Sequence, residues 1–249
     1  MEDFLIGRNA VYEALRSGRA IHKIFMGEFT TVSGAKEIID LAKEKGIVIQ
    51  QVDRKKLESF APAKNHQGIV AQVAAQDYIE LDDLIERALT DPEQPGFILL
   101  LDEVEDPHNL GAILRTAECT GVHGVIIPKR RAAGLTSTVS KTSAGAVSYV
   151  PVARVSNLSQ AIEALKKAGF WIVGTDGQTK QTVYQIDGKL PLVIVVGNEG
   201  HGISRLVKSH CDWLVKLPMR GQLNSLNAAV AASVVMYEVV RQREVGTRG

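Results

Sequence analysis

The chain has 249 residues, 45% of them hydrophobic and 23% charged, with a formal net charge of +1; that is room for two ordinary domains with sizeable cores, and argues against disorder. Its two cysteines, Cys119 and Cys211, form no CxxC pair, which argues against a disulfide framework and a cysteine-rich zinc site. The opening residues lack the basic start and apolar run of a signal peptide, and no apolar run approaches the roughly 20 residues that span a bilayer, so the expected location is cytoplasmic.

Along the chain, residues 7–17 place Val11, Ala14 and Leu15 at helical spacing, and Ile21–Met26 reads as a strand. Ser33 stands where it can cap a helix with the apolar face Ile38, Ile39, Leu41 and Ala42, which Gly46 ends. Ile47–Val52 and Ile69–Ala75 are further strands, so residues 1–75 are expected to form a small α/β domain. This block carries 11 basic and 9 acidic residues, whereas residues 76–96 carry one basic and seven acidic. In that acidic stretch Leu81, Leu84, Ile85 and Leu89 share one helical face. It reads either as a linker with a short helix or as a helix belonging to a neighbouring domain; the expectation taken forward is an acidic linker, 76–96.

Residues 97–249, with 17 basic and 12 acidic residues, form the expected second domain. Phe97–Leu101 is an unbroken apolar run, typical of a strand buried on both faces. Gly124–Ile127, Phe170–Thr175, Leu192–Gly197 and Trp213–Leu217 follow, separated by helical patterns at Leu110–Thr120, Leu158–Ala168, Ile203–Ser209 and Leu226–Arg243. Alternation of this kind predicts an α/β domain with a mostly parallel sheet.

Ligands of such sheets bind beyond the carboxyl ends of the strands, so the junctions there are the candidate sites. After the first strand, Asn109 either caps a helix or serves a ligand; Arg115, six residues on, is either a surface charge or a functional cation. The run Val196-Gly-Asn-Glu-Gly-His-Gly has the glycine order GxxGxG, not the GxGxxG of a dinucleotide loop, and Glu199 within it either caps the helix near Ile203 or holds a polar group. In Leu217-Pro-Met-Arg-Gly-Gln-Leu-Asn-Ser-Leu-Asn, Asn224 or Ser225 suffices as a cap, which leaves Asn227 surplus. Gly174-Thr-Asp-Gly is a turn at a fourth junction. The segment from Lys129-Arg-Arg to Gly145, with its hydroxyl residues and Lys141, is either solvated surface or a phosphate-contacting stretch; hydroxyls and glycines favour RNA. Six scattered histidines show no metal-ligand spacing, and no metal is expected.

Asn109-Leu-Gly-Ala-Ile-Leu-Arg-Thr-Ala, Gly197-Asn-Glu-Gly and Leu217-Pro-Met…Asn224-Ser-Leu-Asn-Ala-Ala, in this order, closely resemble the three signature motifs of the SpoU/TrmH-type RNA methyltransferases of the SPOUT superfamily. Gly7-Arg-Asn-Ala-Val and His66-Gln-Gly-Ile-Val resemble that family's N-terminal substrate-binding domain, most nearly that of the bacterial 23S rRNA guanosine-2′-O-methyltransferases. The resemblance implies a catalytic α/β domain with a deep trefoil knot, a homodimer, and an N-terminal ribosomal-protein-like RNA-binding domain. It implies the cofactor S-adenosyl-L-methionine, a ribose 2′-hydroxyl as acceptor and a 23S rRNA guanosine as target. A tRNA substrate, or an inactive RNA-binding or ribosome-assembly protein, are the alternatives.

Carried over by motif, Asn109, Arg115, Glu199, Ser225 and Asn227 fall on the active-site positions. Thr175, Asp176, Gly177, Gly197, Asn198, Gly200, Leu217, Met219, Ser225 and Leu226 fall on the cofactor pocket. RNA contacts are expected at Arg8, Lys129, Arg130, Arg131, Lys141, Ser143 and Gly145. Arg115 has two conceivable roles, base or phosphate clamp. A neighbouring phosphate holds a proton on arginine, which favours the clamp.

Overall fold

The computed structural model describes residues 3–28, 35–60, 66–73, 78–223 and 225–245; Ser33, Asn224 and the end of the expected 69–75 strand lie outside them. Among these residues the N-terminal part forms a four-stranded sheet. In chain order it runs β1 (Asp3–Ile6), α1 (Arg8–Arg16), β2 (Ile21–Gly27), α2 (Lys36–Glu44), β3 (Ile49–Val52), α3 (Arg54–Phe60) and β4 (Ile69–Val73). The strand order is β1-β4-β2-β3, with β4 antiparallel to both neighbours and β3 parallel to β2. Alternation along β4 feeds two cores. Ile69 and Ala71 meet Leu15, Ile24 and Ile38, while Val70 on the opposite face meets Phe25, Val52 and Leu57. Gly46 follows α2 with φ +67°, a left-handed conformation that suits glycine.

The chain continues through α4 (Leu81–Leu89), β5 (Phe97–Leu101), α5 (Pro107–Cys119), β6 (Gly124–Pro128), α6 (Ser137–Thr142), β7 (Val152–Val155), α7 (Leu158–Lys167), β8 (Trp171–Thr175), β9 (Leu192–Val196), α8 (Arg205–Ser209), β10 (Trp213–Val215) and α9 (Ala228–Val245). The second sheet has the order β10-β8-β9-β5-β6-β7, and every pairing in it is parallel. β5 and β9 lie at its centre and are buried along their whole length, as an unbroken apolar run requires.

Two expectations about boundaries need correction. Residues 76–96 are not merely a linker: Leu84 and Ala88 of α4 sit fully inside the core that holds Ile98, Leu100 and Ile126, and Ile79 bridges to Ala153 beside β7. The acids occupy the solvent side of that helix, and burying a side chain such as Leu84 is worth about 1.5–3 kcal/mol. Residues 97–249 do not form one unit either. The chain contacts separate Met1–Asp77 together with Gly134–Tyr149 from Tyr78–Ala133 together with Val150–Gly249. In the first of these units the Tyr149 hydroxyl donates to Glu13 Oε2 at 2.6 Å, and Val139, Ala146 and Val147 are buried. Gly145 adopts φ +93°, and a Cβ there would meet Glu13 Cβ at 2.5 Å.

Candidate active site

At the carboxyl edge of the parallel sheet, the loops after β8, β9 and β10 and the start of α9 enclose a cavity of about 620 Å³. All ten residues expected of the cofactor pocket line it, although they come from three separate stretches of chain. Gly197 is required by its surroundings: a Cβ would lie 2.2 Å from the carbonyl carbon of Gly202. The turn that follows is closed by reciprocal backbone bonds between Asn198 and Gly202, at 3.2 and 2.8 Å. Opposite it, Asp176 accepts from the Gln178 N–H at 3.1 Å and pairs with Lys208 of α8. Burial opposes ionisation of Asp176, but the Lys208 ammonium and the Gln178 N–H outweigh it, so its pKa lies below the ordinary value.

A chain of polar side chains borders this cavity, with Asn109 buried and Glu199 and Asn227 exposed, and its direction is set by a helix. Asn227 caps α9, its Oδ1 accepting from the N–H groups of Ala229 (3.0 Å) and Val230 (3.2 Å). Its amide nitrogen must then point away, and it donates to Asn109 Oδ1 at 2.8 Å. Asn109 in turn donates through Nδ2 to Glu199 Oε1, which also accepts from the Ala228 N–H at 3.3 Å. Asn109, Glu199 and Asn227 are thus one cluster, drawn from α5, the turn after β9 and the start of α9.

Three local readings from the sequence change here. The cap of α5 is Asp106, whose side chain accepts from the His108 N–H with Pro107 at the first helical position. Asn109 is therefore free of capping duty, and it is buried at 8% exposure. Asn227 is not surplus, because it is the cap of α9. Glu199 contributes to that same N-terminus, whereas α8 is preceded by Ser204 at its cap position, whose N–H donates to Asp102 Oδ2 at 2.8 Å.

Ser225 lines the cavity and is exposed. Arg115 is not brought into the cluster: it lies on an exposed position of α5, and the geometry gives it no hydrogen bond among the described residues. Six residues at roughly 100° each carry it well round the helix from Asn109. Of the residues expected to contact RNA, Lys129, Arg130, Arg131 and Lys141 are exposed, and Lys129 and Arg130 line a second cavity of about 560 Å³ at the ends of β5, β6 and β7. Arg8 donates through Nε to the Gln67 carbonyl at 3.2 Å. Ser143 (1% exposed) and Gly145 are buried inside the first unit, so their surfaces are already covered there. Glu103 and Lys208, which brace the cavity loops, carried no motif signal in the sequence, and His201 lay within the glycine-rich run without being singled out.

A fully parallel sheet with a glycine-lined cavity at its switch point defines an α/β enzyme of the cofactor-binding type. Residues 96–237 match the SpoU rRNA Methylase family model, and residues 4–79 match that for RNA 2′-O ribose methyltransferase substrate binding. A protein named for the TrmH family of tRNA/rRNA methyltransferases, YacO of Bacillus subtilis, is 54% identical over 97% of this chain and 96% of its own length. The SpoU methyltransferase AviRb from Streptomyces viridochromogenes, solved in complex with AdoMet, superposes with a TM-score of 0.80 at 27% identity, covering 98% of this chain and 92% of that one. An AdoMet-bound rRNA methyltransferase from Sinorhizobium meliloti does so with a TM-score of 0.80 at 26% identity, over 96% and 87% of the two chains. The chain belongs to the SpoU/TrmH family of RNA methyltransferases.

Proposed function

We propose that the protein transfers a methyl group from S-adenosylmethionine to a ribose 2′-hydroxyl of RNA, on a guanosine of 23S rRNA, with Asn109, Arg115, Glu199, Ser225 and Asn227 carrying the reaction. The observation behind this reading is the directed Asn227–Asn109–Glu199 chain beside a cavity that gathers every residue expected of the cofactor pocket. The cavity fits the cofactor chemically. Leu217, Met219 and Leu226 offer apolar surface to a flat ring, Gly197 and Gly200 allow close backbone approach, and Thr175 and Asp176 supply polar groups. Bound there, the cofactor supplies a methyl group already activated by a positive sulfur.

The protein's own share is alignment and charge. Good attack geometry is worth roughly 7–11 kcal/mol. Glu199, fixed by Asn109 and the α9 cap, orients the ribose; Ser225 and Asn227 shape the loop between the two ligands. Arg115, exposed on α5, grips an RNA phosphate and stabilises the developing alkoxide, and the proton leaves to water or phosphate.

An rRNA target is supported by the rRNA methylase family model and the Sinorhizobium meliloti neighbour. Arg8, Lys129, Arg130 and Lys141 supply phosphate contacts, with residues 1–75 as a ribosomal-protein-like RNA-recognition domain. Val230, Val234 and Tyr237 form an exposed apolar face on α9, beside Tyr184, and this face supports a homodimer. The trefoil knot is inferred for the C-terminal segment from its motifs, and the insertion of β9 between β5 and β8 supports it. No helix among the described residues is long and apolar enough to cross a membrane, which agrees with a cytoplasmic enzyme. Mapping ribose methylation across 23S rRNA and tRNA, with and without the protein, tests the target. Methylation confined to tRNA overturns the rRNA assignment, and a calorimetric titration without cofactor binding supports an inactive RNA-binding protein instead.

A further inference from the structure

The turn Asn198–Gly202 carries Glu199 and walls the cavity, and two of its cavity-lining residues, Asn198 and His201, are held by a residue that no motif points to. Asn198 Nδ2 donates to the Glu103 carbonyl at 3.2 Å, and His201 Nε2 lies 2.8 Å from Glu103 Oε2. The other carboxylate oxygen, Oε1, accepts from Arg131 Nη1 at 2.8 Å. Glu103 follows the central strand β5, and the cavity lining does not include it. Its φ is +60° and that of Arg131 is +55°. Non-glycine residues held in this region cost about 1–3 kcal/mol each and persist where the surroundings over-determine them. A glycine would satisfy the backbone at position 103 without that cost. The side chain is therefore the reason for glutamate there, and its two oxygens are occupied by His201 of the cofactor-side turn and Arg131 of the tribasic segment.

We propose that Glu103 is a positioning residue for methyl transfer: through His201 and Asn198 it fixes the turn that presents Glu199 and the glycine wall to the cofactor, while Arg131 holds the carboxylate in place. This rests on the methyltransferase reading above. Glu103 touches neither substrate nor cofactor in this role. The Arg131 side chain is 72% exposed, so its pair with Glu103 contributes orientation more than stability.

The test uses the full chain, S-adenosylmethionine titrated by calorimetry, and thermal melts of each variant. Glu103→Gly keeps the backbone conformation and the melting temperature, and weakens cofactor binding about tenfold, as loss of a charged hydrogen bond does. Glu103→Gln, which retains groups able to bond Arg131 and His201, restores the affinity to within about threefold. His201→Ala reproduces the glycine effect, and combining it with Glu103→Gly adds little, because both changes remove one shared contact. A glycine variant binding within twofold of the wild type shows that only the turn conformation matters and overturns the proposal. Effects of the two changes that multiply overturn it as well. A wild-type chain that binds no cofactor fails at the earlier step, and overturns the methyltransferase reading together with this one.

Discussion

Replacing Asn109, the one buried member, tests whether the polar cluster is a directed hydrogen-bond chain. The amide donates to Glu199 and accepts from Asn227 at 2.8 Å. A hydrogen bond to a charged group is worth about 1.5–3 kcal/mol and a neutral one about 0.5–1.5; with Glu199 and Asn227 open to solvent the lower ends apply, so Asn109→Ala should cost about 2 kcal/mol of stability. Asn109→Asp is more discriminating. It keeps the acceptor for Asn227, removes the donor, and sets a carboxylate against Glu199. Two such groups raise each other's pKa. A carboxyl group whose folded pKa is raised destabilises above that pKa, so the variant should be weakest near about pH 8 and recover as acid supplies a shared proton. Urea unfolding at fixed protein concentration, from about pH 8 down to about pH 5, measures both variants against the wild type. An aspartate variant whose deficit is the same at both ends of that range would refute the directed chain. So would an alanine variant within about 0.5 kcal/mol of the wild type, a surface-like value.

Arg115→Lys should keep measurable activity and Arg115→Ala should lose on the order of a hundred- to thousandfold, as for removal of one preorganised donor. A lysine variant whose single-turnover rate climbs steeply toward about pH 10, near the reference lysine pKa, where wild type is flat, would show a base instead of a clamp. Arg243 donates to the carbonyls of Gly188 (2.8 Å) and Leu190 (3.3 Å) and lies over Phe97; burial lowers its pKa to about 10. Arg243→Ala should destabilise by about 2–3 kcal/mol in denaturant melts by orphaning those carbonyls, and a neutral result would contradict this packing. The pKa of Glu103 is held down by Arg131 and then His201, and that of Glu238 by Arg241. Asp176 is depressed too, so melting temperature should stay level above about pH 5 and fall as pH drops through these lowered values; a rise on acidification would contradict it.

The central strands were legible because β5 and β9 are buried on both faces and leave unbroken apolar runs. β1 and β7, four residues each, were not anticipated, and α3 has a single buried residue, Leu57, to mark a helical face. Within the site, the residues around the cavity were reached through the motif resemblance, and the 2.2 Å approach at Gly197 gives the physical reason for one of them. The division of capping between Asp106 and Asn227 was not legible. Several adjacent residues could cap either helix, and only the three-dimensional course of α5 and α9 decides between them. Ser143 and Gly145 read as a phosphate-contacting stretch because hydroxyls and glycines also suit tight internal packing, which is what they make against Glu13 and Ser140. Composition alone does not separate those two uses.

Gly134–Tyr149 gives the chain an unusual rule for grafting. The backbone passes between the two contact units three times, near residues 77, 133 and 149. A chimera that joins a foreign N-terminal module at a single splice near residue 77 would inherit the 134–149 segment but not the surface built to receive it. Buried Val139, Ala146 and Val147 would then face a stranger's side chains, and the hydroxyl of Tyr149 would lose Glu13. A graft that keeps this packing would have to carry Met1–Asp77 and Gly134–Tyr149 together, as a discontinuous pair of segments.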